Sequence, residues 1–176
     1  MGKLYFLMGL PRSGKSSWAQ SWIEEKPGRV IVCADDIRLA CGHRWNSHIE
    51  SYISSSKELM IKTLLQKHDV LVDGTHTTEN NIRKLLQIDH NAQPIFINTH
   101  PEVCKKRAKQ TNQEDLYPII VRMQYNFQNL YIKFLYDNYG GIGGRRVKWQ
   151  DLTQETVNTV VEAIRTQTTM KHSIRD

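Results

Sequence analysis

The sequence contains few cysteines and no pattern that would bind zinc. Its three cysteines, Cys33, Cys41 and Cys104, form no C-x-x-C pair and come without a secretory signal. This spacing argues against both a disulfide framework and a zinc site, and we expect reduced thiols in a cytoplasmic protein.

Long apolar segments are also missing. The first apolar run, Lys3–Met8, is far shorter than the ~20 residues of a membrane span and has no signal-peptide cleavage site. Phe6 stands where a myristoylation signal has Ser or Thr. We therefore expect no association with a membrane.

Internal repeats and low-complexity runs are absent from the 176 residues. A chain of this length is typical of one domain. We expect a single domain over residues 1–165 and a charged tail over residues 166–176.

Positive charge exceeds negative charge: the formal net charge is +6 and the sequence pI is about 9.3. Such an excess attracts polyphosphates or nucleic acid, although a role in solubility alone explains it equally well.

Short apolar runs alternate with segments of helical periodicity, which predicts an α/β fold with a mostly parallel five-stranded sheet flanked by helices. The predicted strands are Lys3–Met8, Arg29–Cys33, Asp69–Asp73, Pro94–Asn98 and a fifth around Val147–Trp149. The predicted helices are Ser16–Glu25, Ser47–Lys67, Glu79–His90, Pro101–Thr111, a long one from Pro118 to about Tyr136, and a last one from Thr153.

The segment Gly9–Ser16, "GLPRSGKS", matches the phosphate-binding pattern G-x-x-x-x-G-K-[ST] between a predicted strand and a predicted helix. In this pattern backbone N–H groups surround the phosphates, the lysine reaches the β and γ oxygens, and the hydroxyl binds Mg²⁺. The pattern predicts binding of ATP or GTP, with ATP and Mg²⁺ as the expected pair and Ser16 as the metal ligand. The predicted nucleotide-binding residues are Gly9, Leu10, Pro11, Arg12, Ser13, Gly14, Lys15, Ser16 and Ser17.

Asp35 and Arg38 follow the second predicted strand, where ligands bind in open α/β sheets. Three residues apart on a helix, they share one face. The carboxylate is placed to accept a proton from an attacking hydroxyl, and the arginine to hold an anionic part of the acceptor. The alternative is a helix cap and a surface ion pair, but the phosphate loop some twenty residues earlier favours the catalytic interpretation.

Together these motifs resemble the 5′-hydroxyl kinase module of the phage-type polynucleotide kinases, a branch of the adenylate-kinase-like P-loop phosphotransferases. The matching segments are Gly9–Ala19, Asp35–Arg38, Val72–Leu86, Ile97–Gln110 and Tyr117–Tyr125. The resemblance implies a P-loop kinase fold with a small helical lid at about residues 105–125. It also implies ATP-dependent phosphorylation of the 5′-hydroxyl end of DNA or RNA.

The resemblance further implies residue roles. Asp35 corresponds to the general base, Arg38 to the arginine that binds the phosphate next to the acceptor nucleoside, and Arg122 to a lid arginine that clamps the donor phosphates. With Lys15 these form the predicted catalytic set. The alternative for Arg122 is an ordinary position on the helix surface, but the resemblance favours the lid role. Near Arg107 the departures Ala108 and Gln110 leave donor recognition open.

Further candidates follow the third predicted strand. Asp73 is placed either to orient metal-bound water or the acceptor, or to cap the next turn, and we group it with Thr75 as substrate-binding. His76 is expected to be solvated. Leu71 occupies the nucleophile position of a phosphatase D-x-D-G-T motif, which excludes aspartyl-phosphate chemistry there.

Two other functions stay open. A small-molecule kinase acting on a nucleoside, sugar or antibiotic would use the same fold, and a non-catalytic nucleotide-binding or ATPase subunit would share the phosphate loop.

Overall fold

The computed structural model describes residues 1–43, 45–136 and 147–173. Its strands are β1 (Leu4–Met8), β2 (Arg29–Cys33), β3 (Asp69–Asp73) and β4 (Gln93–Phe96). Its α-helices are α1 (Lys15–Glu24), α2 (Ala34–Ala40), α3 (Glu50–Leu64), α4 (Glu79–Ile88), α5 (Pro101–Gln110), α6 (Tyr117–Tyr131) and α7 (Gln154–Ser173). Two 3₁₀ turns lie at Glu114–Leu116 and Trp149–Asp151, and a π-helical segment at Ile132–Tyr136 follows α6.

The strands form one parallel sheet in the order β2-β3-β1-β4. Phe6 of β1 lies opposite Val72 of β3, and Cys33 of β2 lies opposite Asp73. Because the strands are parallel, the carboxyl ends of β1, β2 and β3 meet at one end of the sheet. The predicted parallel sheet flanked by helices is confirmed.

Alternating side chains of the strands enter two different parts of the core. On one face Leu4, Phe6 and Met8 pack with α3 to α7, in the larger cluster. On the other face Leu7 and Leu71 pack against Ala19 and Trp22 of α1. Burial on both faces explains why the central strands are continuously apolar in sequence.

The predicted fifth strand is wrong, because the sheet that the described residues form has four strands. Val147 and Trp149 are buried, but Trp149 begins a 3₁₀ turn and packs its ring against Phe96 and Phe127. Beyond β4, the Gln154 side chain occupies the hydrogen-bonding positions that another strand would use. Its Oε1 accepts from Phe96 N at 2.7 Å and its Nε2 donates to Pro94 O at 3.0 Å.

Most predicted helices are present, with ends shifted by a few residues. The apolar stripe of the long helix is confirmed as core, since Ile120, Phe127 and Leu130 are buried. Residues 105–125, the predicted lid, comprise the end of α5, a 3₁₀ turn and the start of α6. In the part of the chain that the structure describes, no helix is both long and apolar enough to cross a bilayer.

Most of the chain after Arg165 belongs to the last helix. α7 continues to Ser173, and residues 174–176 lie outside the described part. Arg83 of α4 holds this extension: its NH1 donates to Thr168 Oγ1 at 2.7 Å and its NH2 to Gln167 Oε1 at 2.8 Å. Its Nε donates to Glu79 Oε1 at 2.7 Å.

We expect Arg83→Met to lower the free energy of unfolding by about 1–3 kcal/mol, because the half-buried Glu79 carboxylate keeps only its bond from Lys133 and the two α7 side chains lose the donors of Arg83. Urea denaturation measures this change. Lys62→Met is the control, since it removes an exposed pair with Glu58 and should cost below ~1 kcal/mol. Equal losses in the two variants would contradict the anchoring role of Arg83.

Candidate active site

The phosphate loop connects the carboxyl end of β1 to the first turn of α1. Gly14 caps α1 with a φ of 101°, a left-handed conformation that favours glycine, and no side chain caps the helix there. Arg12 is also left-handed, with a φ of 63°. The backbone N–H groups at the start of α1 therefore have no side-chain cap competing for them, which suits a bound anion.

Lys15 is the buried cation of this loop, with 8% of the residue exposed. Its Nζ donates to Leu10 O at 2.6 Å. Burial lowers the pKa of the ammonium group, and the charge of Asp73 is the largest opposing influence. The lysine is thus desolvated beside the phosphate loop, where a phosphate oxygen would stabilise its charge.

Ser16 and Asp73 join the loop to the end of β3. Ser16 Oγ donates to Asp73 Oδ2 at 2.9 Å, and Gly9 N donates to Thr75 O at 3.2 Å. Mg²⁺ prefers oxygen ligands and keeps several waters, so this hydroxyl and carboxylate fit the ion together with phosphate oxygens. Among the described residues no group of three His, Cys, Asp or Glu side chains could hold a metal by itself.

Residues that follow β4 support the loop from the other side. Thr99 Oγ1 donates to Ser13 O at 2.7 Å, and Arg107 NH1 donates to Ser13 O at 3.1 Å and to Arg12 O at 3.2 Å. The buried Ser13 hydroxyl has no protein partner within the described ranges. The sequence analysis did not identify Thr99 as a site residue. A threonine that donates to a backbone carbonyl belongs to no recognisable sequence motif.

Asp35 lies in the first turn and Arg38 in the last turn of the short helix α2, which follows β2 without a loop. Arg38 NH1 donates to Asp35 Oδ1 at 2.5 Å. Its Nε and NH2 donate to the two carboxylate oxygens of Glu50, each at 2.6 Å. These hydrogen bonds raise the pKa of Arg38 and lower the pKa of Glu50. The guanidinium is therefore held in one orientation, whereas 82% of the Asp35 side chain is exposed.

Glu50 is a site residue that the sequence did not indicate. It opens α3, twelve residues after Arg38, and the intervening chain has no fixed spacing that would connect the two. A bidentate pair of this kind orients an arginine for recognition of a planar or tetrahedral anion.

Arg122 lies in the first half of α6. It is exposed and lines a cleft of about 770 Å³ with residues of α5 and α6 that include Lys105, Tyr117 and Tyr125. Of the two predicted arginines of this region, Arg107 is the one that contacts the loop in this conformation. The contact of Arg122 with donor phosphates stays a prediction.

His76 is buried, so the expectation of a solvated histidine is wrong. Only 6% of the residue is exposed, and its Nδ1 lies 2.7 Å from Leu7 O. The ring packs edge-on against Phe6. Burial lowers the pKa of His76 to about 4, opposed by the Leu7 carbonyl and assisted by the charges of Lys57 and Lys15. The neutral imidazole is a structural part of the site floor.

Comparison with known proteins identifies similar domains. The family described as AAA domain matches residues 4–124. A chain of the Pnkp1/Rnl/Hen1 RNA repair complex is 21% identical over 73% of this chain and 46% of that chain, with a TM-score of 0.61. A second chain of a Pnkp1/Rnl/Hen1 complex is 25% identical over 60% of this chain and 39% of that chain, with a TM-score of 0.56.

The chain thus spans less than half the length of those two. A gluconokinase from Sinorhizobium meliloti 1021 is 15% identical over 99% of this chain and 98% of that chain, with a TM-score of 0.51. No curated protein sequence matches.

We expect the free energy of unfolding to fall by about 3 kcal/mol as the pH drops from 7 to 4, on account of His76. The folded state depresses the pKa from 6.5 to about 4, so this stability is complete above pH 6.5 and is lost as protons bind the unfolded chain. Urea denaturation at several pH values measures it.

His76→Asn should lack this part of the pH dependence, because asparagine does not titrate and tolerates the φ of 40° at this position. His90→Asn, at an exposed histidine, is the control and should keep the wild-type curve. Parallel curves for wild type and His76→Asn would refute this role.

Proposed function

We propose that this chain, which belongs to the AAA domain family, transfers the γ-phosphate of ATP to the 5′-hydroxyl end of DNA or RNA. One observation carries the proposal. A carboxylate and an oriented arginine, Asp35 and Arg38, follow β2 directly, at the end of the sheet where the phosphate loop and Asp73 also lie.

The donor side is formed by the phosphate loop. Mg²⁺-bound ATP supplies the phosphoryl group when it is present. The backbone N–H groups before α1 bind its phosphates, Lys15 exchanges Leu10 O for a phosphate oxygen, and Ser16 with Asp73 orients the metal. A cation close to the γ-phosphate stabilises the charge that spreads over its oxygens during transfer.

The acceptor side is formed by α2. Asp35 is exposed, as a base that must reach an incoming hydroxyl needs to be. A guanidinium has five N–H donors, and Arg38 uses three of them on Glu50 and Asp35. Two donors are left for a phosphate of the acceptor strand.

Several features support a nucleic acid as the acceptor. The net charge of +6 favours a polyanion. Chains of an RNA repair complex share the fold, and the "DDIR" segment of Asp35–Arg38 resembles that of polynucleotide kinases.

A small-molecule kinase is the second candidate. A gluconokinase shares the fold over nearly the whole of both chains. An uncharged acceptor would need Asp35 as the base but would give Arg38 no phosphate to bind.

Labelling with γ-³²P-ATP and Mg²⁺ tests the proposed function on a panel of 5′-hydroxyl DNA, RNA, nucleosides and sugars. We expect label on the nucleic acids, and Asp35→Asn should reduce kcat by about 10²–10⁴-fold while ATP affinity is retained. Asp36→Asn, which removes the adjacent exposed carboxylate, is the matched control. Unchanged turnover in Asp35→Asn would exclude the general base, and ATP hydrolysis without a labelled acceptor would favour an ATPase.

Ionic strength separates the two candidates. Phosphorylation of an oligonucleotide at low substrate concentration should slow several-fold between about 50 and about 200 mM salt, because strand binding releases counterions. Phosphorylation of an uncharged sugar should not change. A salt-independent rate on oligonucleotides would argue against binding of the strand backbone.

A further inference from the structure

Lys57 is a lysine on the inward face of α3. Ile53 lies one turn before it and Ile61 one turn after it, and both are buried. Glu50, which binds Arg38, is seven residues earlier and so on the same face. Since α3 packs against α2, β2 and β3, this buried face of the helix faces the sheet close to α2.

The surroundings of Lys57 are cationic. The pKa of its ammonium group is lowered by burial first, then by Lys84 of α4 and Arg38 of α2, while Cys33 at the end of β2 acts in the opposite direction. The charge of Lys57 also lowers the pKa of His76, which follows β3. Because α3 packs against α2, β2 and β3, and its first residue Glu50 binds Arg38, this face of α3 lies beside the carboxyl end of β2, where ligands of such sheets bind.

No acid in the described part of the chain neutralises this lysine. The acids of its own helix are engaged elsewhere, Glu50 with Arg38 and Glu58 with Lys62. Within residues 1–43, 45–136 and 147–173, no carboxylate pairs with Lys57. A half-buried cation next to other cations costs stability, and such a cost is typical of a site whose anion arrives with a ligand.

We propose that Lys57 is the second cation of the acceptor site and binds, together with Arg38, the phosphate group next to the reacting hydroxyl. The site would then select acceptors that carry a phosphate over acceptors that carry none. This inference rests on the proposed function and specifies the acceptor that the same site takes.

Two acceptors that differ by one group test the inference: a nucleoside 3′-phosphate and the corresponding nucleoside. Lys57→Met should raise KM for the nucleoside 3′-phosphate by about 10- to 100-fold, the loss of one charge-assisted hydrogen bond. KM for the nucleoside should not change, and Lys57→Arg should restore most of the affinity. Lys62→Met removes the same charge from the exposed side of α3 and is the matched control.

Stability provides a readout that separates binding from support of the fold. Lys57→Met should leave the free energy of unfolding unchanged or raised, because a desolvated cation is replaced by an apolar side chain. Equal KM changes on both acceptors, unchanged KM on both, or a loss of stability comparable to that of Arg83→Met would overturn the inference.

A binding measurement distinguishes failure of the proposed function from failure of the proposed anion site. It follows the anisotropy of a fluorescent 5′-hydroxyl oligonucleotide in the absence of ATP. Wild-type protein that transfers no phosphate, but whose oligonucleotide binding weakens in Lys57→Met, would overturn the proposed function and retain the anion site. Phosphate transfer to nucleic acid with identical binding by wild type and Lys57→Met would overturn the anion site alone.

Discussion

The parallel pairing of β3 with β1 on one side and with β2 on the other determines where each candidate catalytic group lies. It places Cys33 opposite Asp73, so that α2, with Asp35 in its first turn, begins beside the end of β3. It also brings the phosphate loop after β1 to Asp73, where the Ser16 hydroxyl binds the carboxylate. A slip of one residue in β3 would turn Asp73 to the opposite face and separate the two halves of the site.

The cations of the candidate site fall into two groups: one is paired with a carboxylate of the protein, and the other is buried or half-buried without such a partner. Arg38 has its partner in the protein, and the carboxylate of Glu50 raises its pKa. Lys15 and Lys57 are desolvated instead, and burial is the main cause that lowers the pKa of each. The positive charges without an acidic partner therefore lie where phosphates are proposed to bind. Such a compromise between stability and activity is common in active sites.

The sequence predicted the parts of the structure that depend on local patterns. β2 and β3 have the predicted bounds because their β-branched runs are short and end in polar residues, and the loop motif located Lys15 and Ser16. Tertiary packing decided the rest. Val147 and Trp149 are apolar enough for a strand, yet both are buried in the core, where the Trp149 ring packs against Phe96 and Phe127. Glu50 pairs with Arg38 across two helices, a relation that no spacing in one sequence reveals.

Gln154, at the start of α7, shields the outer edge of β4. The sheet ends at this strand, and an uncovered edge invites another chain to add to it by backbone pairing. The amide of Gln154 holds both Phe96 N and Pro94 O, and Pro94 itself has no N–H to offer. Growth of the sheet by intermolecular strand addition at this side would first have to displace that amide, so one side chain also protects the folded chain from self-association.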